Sequence, residues 1–344
     1  MSQESSGPYH ALRVARVVEE TPDAKSIVLE VPDALQQTFA YRAGQFLSFR
    51  VEVDGHRLVR CYSLASSPDT ESVHKVTVKR VARGRASNWM NDQVQVGDVL
   101  EVMPPSGVFC LQAERQTPIV LFAGGSGITP VISILKSALA TTGRSLKLVY
   151  ANRDEPSIIF RRELEALEAA HPDRLEVVHR LDARDGFVDE PCVLREVGSR
   201  TDADFYVCGP GPFMDIVESA LARAGVGEGQ IFIERFESPS EEPVAGAPID
   251  ASEGTTVTIR LDGQETEVVV AEGETILAAA RRVGLEPPFA CEEAYCGCCM
   301  ARVIEGEVAM RMNDGGIDQK QIDSGWILTC QGVPKGRARI EYPD

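Results

Sequence analysis

The spacing of apolar residues along the chain changes character twice. In FLSFRVEV (46–53), VTVKRV (76–81) and DVLEVM (98–103), apolar and polar positions alternate, the period of a half-buried strand. Gly-containing turns separate these stretches, and no convincing long helix interrupts them between about His10 and Phe109. The pattern predicts a small antiparallel β-barrel. From about Thr117 to Phe236 the pattern differs. The apolar strand PIVLFA (118–123) leads through a Gly-rich turn into the helical stretch PVISILKSALA (130–140). LKLVYA (146–151), FRRELEALEAA (160–170), LEVVHRL (175–181), DFYVCG (204–209) and MDIVESALARAGV (214–226) continue the alternation. Strands alternating with helices predict a parallel sheet covered on both faces.

ESPSEEPVAGAPIDAS (237–252) has three prolines and no apolar period, the composition of a linker. Beyond it, VTIRLDGQETEVVV reads as a hairpin around Asp262-Gly263, and ETILAAARRVGL (274–285) as an amphipathic helix ending near Gly284. The expected organisation is therefore multidomain: a barrel over 8–113, an α/β parallel-sheet unit over 114–236, a linker over 237–253 and a β-grasp-like unit over 254–344.

Composition narrows the function. The 344 residues carry a net charge of −17, which repels nucleic acid and anionic membrane surfaces. The uncharged run Gln116 to Leu135 reaches membrane-spanning length, but its three Gly and two Pro suit a strand, turn and helix. MSQESSGPYH has neither a basic nor an apolar leader segment, so no secretory signal and a cytoplasmic location are expected. In a reducing compartment, nine cysteines point to a metal or redox site rather than a disulfide scaffold.

Five of those cysteines lie in the last 54 residues. Cys291, Cys296 and Cys299 have the spacing C-x4-C-x2-C, with Cys330 31 residues later. That is the plant-type [2Fe–2S] ligand pattern rather than the C-x2-C pairs of a zinc ribbon. Gly297 suits a loop whose backbone N–H groups must close on bridging sulfides, and Cys298 is left as a bystander. The competing reading is a structural zinc or unligated thiols; the β-grasp-like hairpin and helix ahead of the loop weigh against it.

Upstream, RCYSLASSP (60–68) offers an Arg60 fork for a pyrophosphate, a Tyr62 ring for a cofactor ring and a Ser63 donor. Ordinary barrel packing and a solvated arginine would explain the same residues. GRASNWM (84–90) adds a Gly turn and Ser87, a donor for phosphate. AGGSGITP (123–130) opens a helix after an apolar strand and suits a phosphate, although Pro130 departs from the Rossmann fingerprint. YVCGPGPFM (206–214) is a second turn expected at the same carboxyl edge. Cys208 there reads either as a small buried residue or as a pocket lining. The histidines, His10, His56, His74, His171 and His179, show no metal or catalytic spacing.

These motifs in this order resemble the ferredoxin–NADP reductase-type oxygenase reductases with a C-terminal ferredoxin domain. YANRDEPSIIF (150–160), AAHPDRLEVVH (169–179) and GWILTCQ (325–331) are similar to the group that serves 3-ketosteroid 9α-hydroxylase and phenylacetyl-CoA epoxidase. The resemblance implies FAD in the barrel, bound by Arg60, Cys61, Tyr62, Ser63, Val78, Lys79, Gly84, Ala86 and Ser87. Tyr62 would pack on the isoalloxazine, Ser63 would approach its N5, and Phe236 would lie on the nicotinamide side. It implies NAD(P) at Gly124, Gly125, Gly127 and Thr129, with the nicotinamide near Cys208, Gly209 and Pro210. Two departures stand out: Cys298, where relatives commonly carry a small residue, and the adjacent glycines of NDGGIDQK (313–320), expected to loosen a segment near Cys330.

The expected mechanism is hydride transfer from NAD(P)H to the flavin, with no protein acid or base required, followed by single-electron transfer to the cluster. A cluster near about −400 mV can feed a terminal oxygenase, with a Rieske type favoured over a diiron one. From Gly254 onward there are 15 acidic and 9 basic residues, which suits docking to a basic patch on that partner. Asn152 and Arg153, followed by Asp154, mark the expected adenosine ribose site, and Asp154 favours NADH over NADPH. A monomer is expected. A stand-alone diaphorase or oxidase and an iron–sulfur sensor are the rival readings.

Overall fold

The computed structural model describes residues 9–236, 254–289, 292, 294, 296–313 and 316–343. The linker expected at 237–253 lies outside the described residues. Strands β1 (His10–Thr21), β2 (Ala24–Glu30), β3 (Phe46–Val53), β4 (His56–Ser63), β5 (His74–Lys79) and β6 (Val99–Val102) pair in the order β4-β3-β6-β1-β2-β5. Every pairing is antiparallel. The alternation seen in sequence puts Leu47, Phe49, Val76 and Val102 inside. Just beyond β4, Leu64 bridges to Val76 and the Ala65 N–H donates to Lys75 O at 2.7 Å, so the sheet closes on itself. One helix, α1 (Arg85–Gln93), stands between β5 and β6. The sequence did not announce it: RASNWMNDQ has only Ala86, Trp89 and Met90 as an apolar face, too short a period to register.

The second unit contains β7 (Ile119–Gly124), β8 (Leu146–Asn152), β9 (Leu175–Leu181), β10 (Asp204–Gly209) and β11 (Ile231–Arg235), all parallel, in the order β11-β10-β7-β8-β9. Helices α2 (Ile128–Thr141), α3 (Arg161–Ala170), α4 (Asp182–Asp185), α5 (Glu190–Val197) and α6 (Gly211–Arg223) connect them. Leu121 and Leu148 face a core with α2, while Val120, Phe122 and Val207 face a core with α5 and α6. Burial on both faces is why these strands read as continuous apolar runs. Helix α2 has twelve buried residues among its fourteen because it is wedged between sheet and barrel.

The third unit opens with β12 (Gly254–Leu261) and β13 (Gln264–Ala271). Asp262 and Gly263 both take positive φ, 49° and 73°, the two-residue turn a tight hairpin requires. Helix α7 (Ile276–Arg282) begins where Thr275 Oγ1 accepts the Ala278 N–H at 3.3 Å. Then come β14 (Met300–Glu305), β15 (Val308–Met310), α8 (Gln319–Asp323), β16 (Trp326–Leu328), β17 (Gly332–Pro334) and β18 (Ala338–Glu341). The main sheet runs β13-β12-β18-β14-β16, with the first and last strands of the unit parallel. Among the described residues no helix is long and apolar enough to cross a membrane.

Candidate functional site

Strand β4 carries Arg60 to Ser63 along the barrel edge, paired with β3 so that Leu47 faces Tyr62 and Ser48 faces Cys61. Arg60 donates to the Val59 carbonyl at 2.9 Å. The Tyr62 ring is tilted against Phe49 at 5.7 Å, and burial pushes its phenol well above the usual range. Ser63 is buried, and its Oγ has no hydrogen-bond partner among the described residues. A buried hydroxyl without a partner is costly, so it fits a group that completes it, as a flavin would.

Gly84 precedes α1 with no side-chain cap, which leaves the first-turn N–H groups free for an anion. A Cβ on Gly84 would lie 2.6 Å from Ser87 Oγ. That hydroxyl accepts the Val81 N–H at 3.2 Å and donates to Gly84 O at 3.4 Å, so it fastens the turn. Ala86 is buried in the barrel core. Val78 differs from the expectation in its side chain: the isopropyl group lies in the barrel core and its carbonyl accepts from Asn91 Nδ2 at 3.1 Å. Lys79 points out of the barrel, with its ammonium 3.6 Å from where a Cβ on Gly125 would sit.

That contact links the barrel to the Gly-rich turn. Gly124 ends β7, Gly125 takes φ +52°, and Gly127 sits so close to β10 that a Cβ would be 2.1 Å from Cys208 O. A Cβ on Gly209 would lie 3.1 Å from the Gly124 backbone, and one on Gly124 would lie 2.8 Å from Pro210 of the next turn. The two turns expected at one carboxyl edge are thus in contact, because β7 and β10 are neighbours. Thr129 Oγ1 donates to Ser126 O at 3.1 Å and steadies the start of α2. The Cys208 thiol is fully buried in the sheet core, and burial pushes its pKa up. Of the two sequence readings, packing describes its side chain. Phe236 stands half exposed just past β11.

At the end of β8, Asn152 is buried, and among the described residues neither of its amide atoms has a hydrogen-bond partner at good geometry. Its fit to a polar ligand parallels that of Ser63. Asp154 also serves the local fold, in a role the sequence did not announce. Its carboxylate caps the short turn Glu155–Ser157, accepting the Ser157 N–H at 3.1 Å, and the Ser157 hydroxyl and Arg153 hold it below the usual carboxylate range. Arg153 is exposed and pairs with Asp154 at 3.4 Å and Asp23 at 3.9 Å.

In the third unit Cys296, Cys299 and Cys330 are buried, while Cys291 lies outside the described residues. Glu292, Ala294 and Gly297 all take positive φ, a backbone that turns N–H groups into an anion-binding hollow. The Cys298 N–H already donates to Cys296 Sγ at 3.4 Å. Thr329 ties the Cys299 and Cys330 segments together: its N–H and Oγ1 both donate to Cys299 O, at 3.1 and 2.8 Å. Tyr342 donates to Thr329 Oγ1 at 2.9 Å from below. Cys299 hydrogen-bonds with Cys330, and that contact together with burial pushes its thiol up. Thiolates can share such a site only beside a cation, which is what an iron cluster supplies. Of the adjacent glycines, Gly315 lies outside the described residues, while a Cβ on Gly316 would lie 2.5 Å from Ala294 O, and its N–H donates to that oxygen at 2.9 Å. Glycine is needed for close packing on the cluster loop.

What no spacing revealed is where this loop rests. Cys296 and Cys298 pack with Tyr9, Phe46 and Val59 of the barrel, against Cys61 and Met103. Cys298 Sγ is 3.7 Å from Cys61 Sγ and 3.1 Å from Ser48 Oγ. The loop therefore sits on the face of β4 that carries Cys61 and Ser63, opposite the face of Arg60 and Tyr62.

Three family models match successive parts of the chain. Residues 11–110 match the oxidoreductase FAD-binding domain, 121–219 the oxidoreductase NAD-binding domain and 259–335 the 2Fe-2S iron-sulfur cluster binding domain. The ferredoxin reductase component of 3-ketosteroid-9-alpha-monooxygenase from Rhodococcus rhodochrous is 44% identical, over 96% of each chain. A component of the 1,2-phenylacetyl-CoA epoxidase of Escherichia coli (strain K12) is 35% identical, over 95% of each chain. Among solved structures, phthalate dioxygenase reductase is similar with a TM-score of 0.60 and 26% identity, over 97% of this chain and 98% of that one. With such identity along nearly its whole length, the chain belongs to the family of oxygenase reductase components that join FAD-, NAD- and 2Fe-2S-binding domains in one polypeptide.

Proposed function

We propose that this chain draws electrons from NADH and delivers them to a Rieske-type terminal oxygenase acting on a steroid or aromatic substrate. The observation that carries this reading is the seating of the cluster loop on β3 and β4, on the strand that also carries Arg60, Tyr62 and Ser63. When bound, FAD accepts a hydride and the [2Fe–2S] cluster carries one electron at a time, so together they convert a two-electron donor into a one-electron supply.

The chain's own residues bind and orient. The first turn of α1 and Arg60 suit a pyrophosphate, and Ser63 Oγ supplies a hydrogen bond in a buried place. The Gly124–Gly127 turn admits a dinucleotide's phosphates without side-chain obstruction, and Lys79 adds positive charge beside it. Cys291, Cys296, Cys299 and Cys330 hold the cluster. All three sites lie within one chain, which favours a monomer, and the eight described cysteines form no disulfide, which suits the cytoplasm. Because Asp154 is engaged as a cap, the preference for NADH rests on Asn152 and on Arg153 being already paired with carboxylates.

The purified protein is expected to have flavin and [2Fe–2S] absorption, both bleached by NADH, with NADH giving the higher kcat/KM than NADPH. Cys330→Ser should abolish cytochrome c reduction and leave ferricyanide reduction intact; loss of both, or zinc in place of iron, would defeat the reading. A second reading, service to a diiron epoxidase, is favoured by the similarity to the phenylacetyl-CoA epoxidase component. Reconstitution separates the two: the reductase should support a Rieske steroid hydroxylase and not a diiron epoxidase.

A further inference from the structure

Four of the nine cysteines belong to the cluster set, and Cys110, Cys192 and Cys208 are buried among the barrel and parallel-sheet elements. The two that remain meet each other. Cys61 on β4 and Cys298 in the cluster loop are 237 residues apart in sequence, yet their sulfurs are 3.7 Å apart. Ser48 Oγ borders the pair, 3.3 Å from Cys61 Sγ and 3.1 Å from Cys298 Sγ. A disulfide needs its sulfurs at about 2.05 Å, so closure requires an approach of about 1.7 Å.

We propose that Cys61 and Cys298 are a redox-closable pair, which a hydroperoxide converts to a disulfide that fastens the cluster loop to the flavin barrel. The inference rests on Cys298 being the non-ligand thiol of the loop. Cys61 is half-buried and Cys298 only 3% exposed, so the oxidant meets Cys61 first. The Cys61 sulfur attacks the peroxide, an S–O bond forms, the O–O bond breaks, and one water leaves as the sulfur is oxidised to a sulfenic acid. The Cys298 sulfur then attacks the Cys61 sulfur, the S–O bond breaks, and a second water leaves as the disulfide forms. Two thiols and one hydrogen peroxide thus give one disulfide and two waters, and a dithiol reverses the step. None of Cys291, Cys296, Cys299 and Cys330 is consumed.

The holoprotein treated with limiting hydrogen peroxide, alkylated and digested with trypsin without reduction should yield peptide 61–75 joined to peptide 283–302. The joined species should vanish on reduction, and it should form while the cluster absorbance is retained. Cys298→Ala and Cys298→Ser should each eliminate it. The proposal is overturned if both peptides are recovered separately alkylated, or if the joined species forms only after the cluster has bleached. It is also overturned if either variant still gives it, since Cys296 Sγ lies within 4.8 Å of both sulfurs and would then be the partner. A protein that carries no iron but gives the Cys298-dependent peptide would count against the oxygenase-reductase reading and leave the pair standing.

Discussion

Where the barrel meets the parallel sheet, a lysine is buried among oxygens; where it meets the β-grasp unit, sulfur faces sulfur. At the first contact Lys136 of α2 donates to Ala65 O at 2.9 Å and pairs with Glu71 at 2.6 Å and Glu163 at 2.8 Å. Lys75 reaches across to Glu163 at 3.2 Å, Ser133 donates to Ser66 O at 2.6 Å, and Ser67 meets Ser137 at 2.7 Å. At the second contact the interior is Cys61, Cys298, Phe46 and Val59. Apart from the Ser48–Cys298 contact at 3.1 Å, its polar pairs among the described residues, Arg57–Asp262 at 2.5 Å and His56–Glu286 at 2.9 Å, are about half exposed. A buried, fully partnered network fixes one orientation, since any shift strands a charge. An apolar seam with solvated ion pairs tolerates separation. The difference matches the tasks: two cofactors reacting at contact need a fixed approach, whereas a cluster that must serve another protein profits from a seam that opens.

Lys136→Met tests the first half of that contrast most severely. The Lys136 side chain is 6% exposed, and its loss leaves Glu71 and Glu163 facing each other without the shared cation. Removing one member of a buried pair costs about 3 kcal/mol or more, so thermal unfolding of the holoprotein should show a drop of many degrees. A change no larger than that of a surface substitution would break the comparison. Gly127→Ala comes next. Its Cβ would strike Cys208 O, a backbone atom that cannot rotate away, at a cost of about 1–3 kcal/mol. The KM for pyridine nucleotide should rise by roughly tenfold while flavin content stays unchanged, which would localise the damage to the sheet side of the cleft.

Acid should weaken the first contact by a smaller amount. Burial alone would raise the Glu163 carboxyl, but Lys136 and Lys75 outweigh it and hold the group below its usual range. A group depressed in the folded state adds stability that is complete above its unfolded pKa and lost as pH falls through the folded one. The holoprotein should therefore lose stability as pH drops below the ordinary carboxylate range. Glu163→Gln should flatten that part of the profile, as read by denaturant midpoints at successive pH values.

The elements on either side of these contacts were readable in sequence to very different degrees. β7, β8 and β10 stand out because burial on both faces leaves them nearly free of polar residues, and the Asp262-Gly263 turn stands out because only a few residues tolerate its φ. The cluster spacing is local and so is plain. Helix α1 is obscured because its apolar face spans barely one turn. Asp154 is hard to read because a carboxylate after a strand can cap a turn as well as bind a ribose, and its capping partner Ser157 shows only in the structure. Lys136 is the clearest loss: in PVISILKSALA it looks like a solvated residue on an apolar helix, and the oxygens that surround it come from two domains. Cys61 and Cys298 are visible singly, but no local pattern joins residues brought together only by domain docking.

The smallest effect probes the second contact. Arg57→Ala removes an ion pair whose partners are 55% and 57% exposed, and such pairs contribute about 0–1 kcal/mol, less at high salt. Global unfolding should barely move. Hydrogen exchange in the cluster loop is the more sensitive measurement, because it reads local opening rather than global stability. Exchange should speed up modestly in Arg57→Ala at low salt, and added salt should bring the unaltered protein to the same rate. At Lys136, by contrast, salt should change little, since ions do not reach a buried pair. If loop exchange in Arg57→Ala matched the unaltered protein at every salt concentration, the rim pairs would contribute nothing. The hold on the cluster loop would then rest on the packing around Cys61 and Cys298 alone.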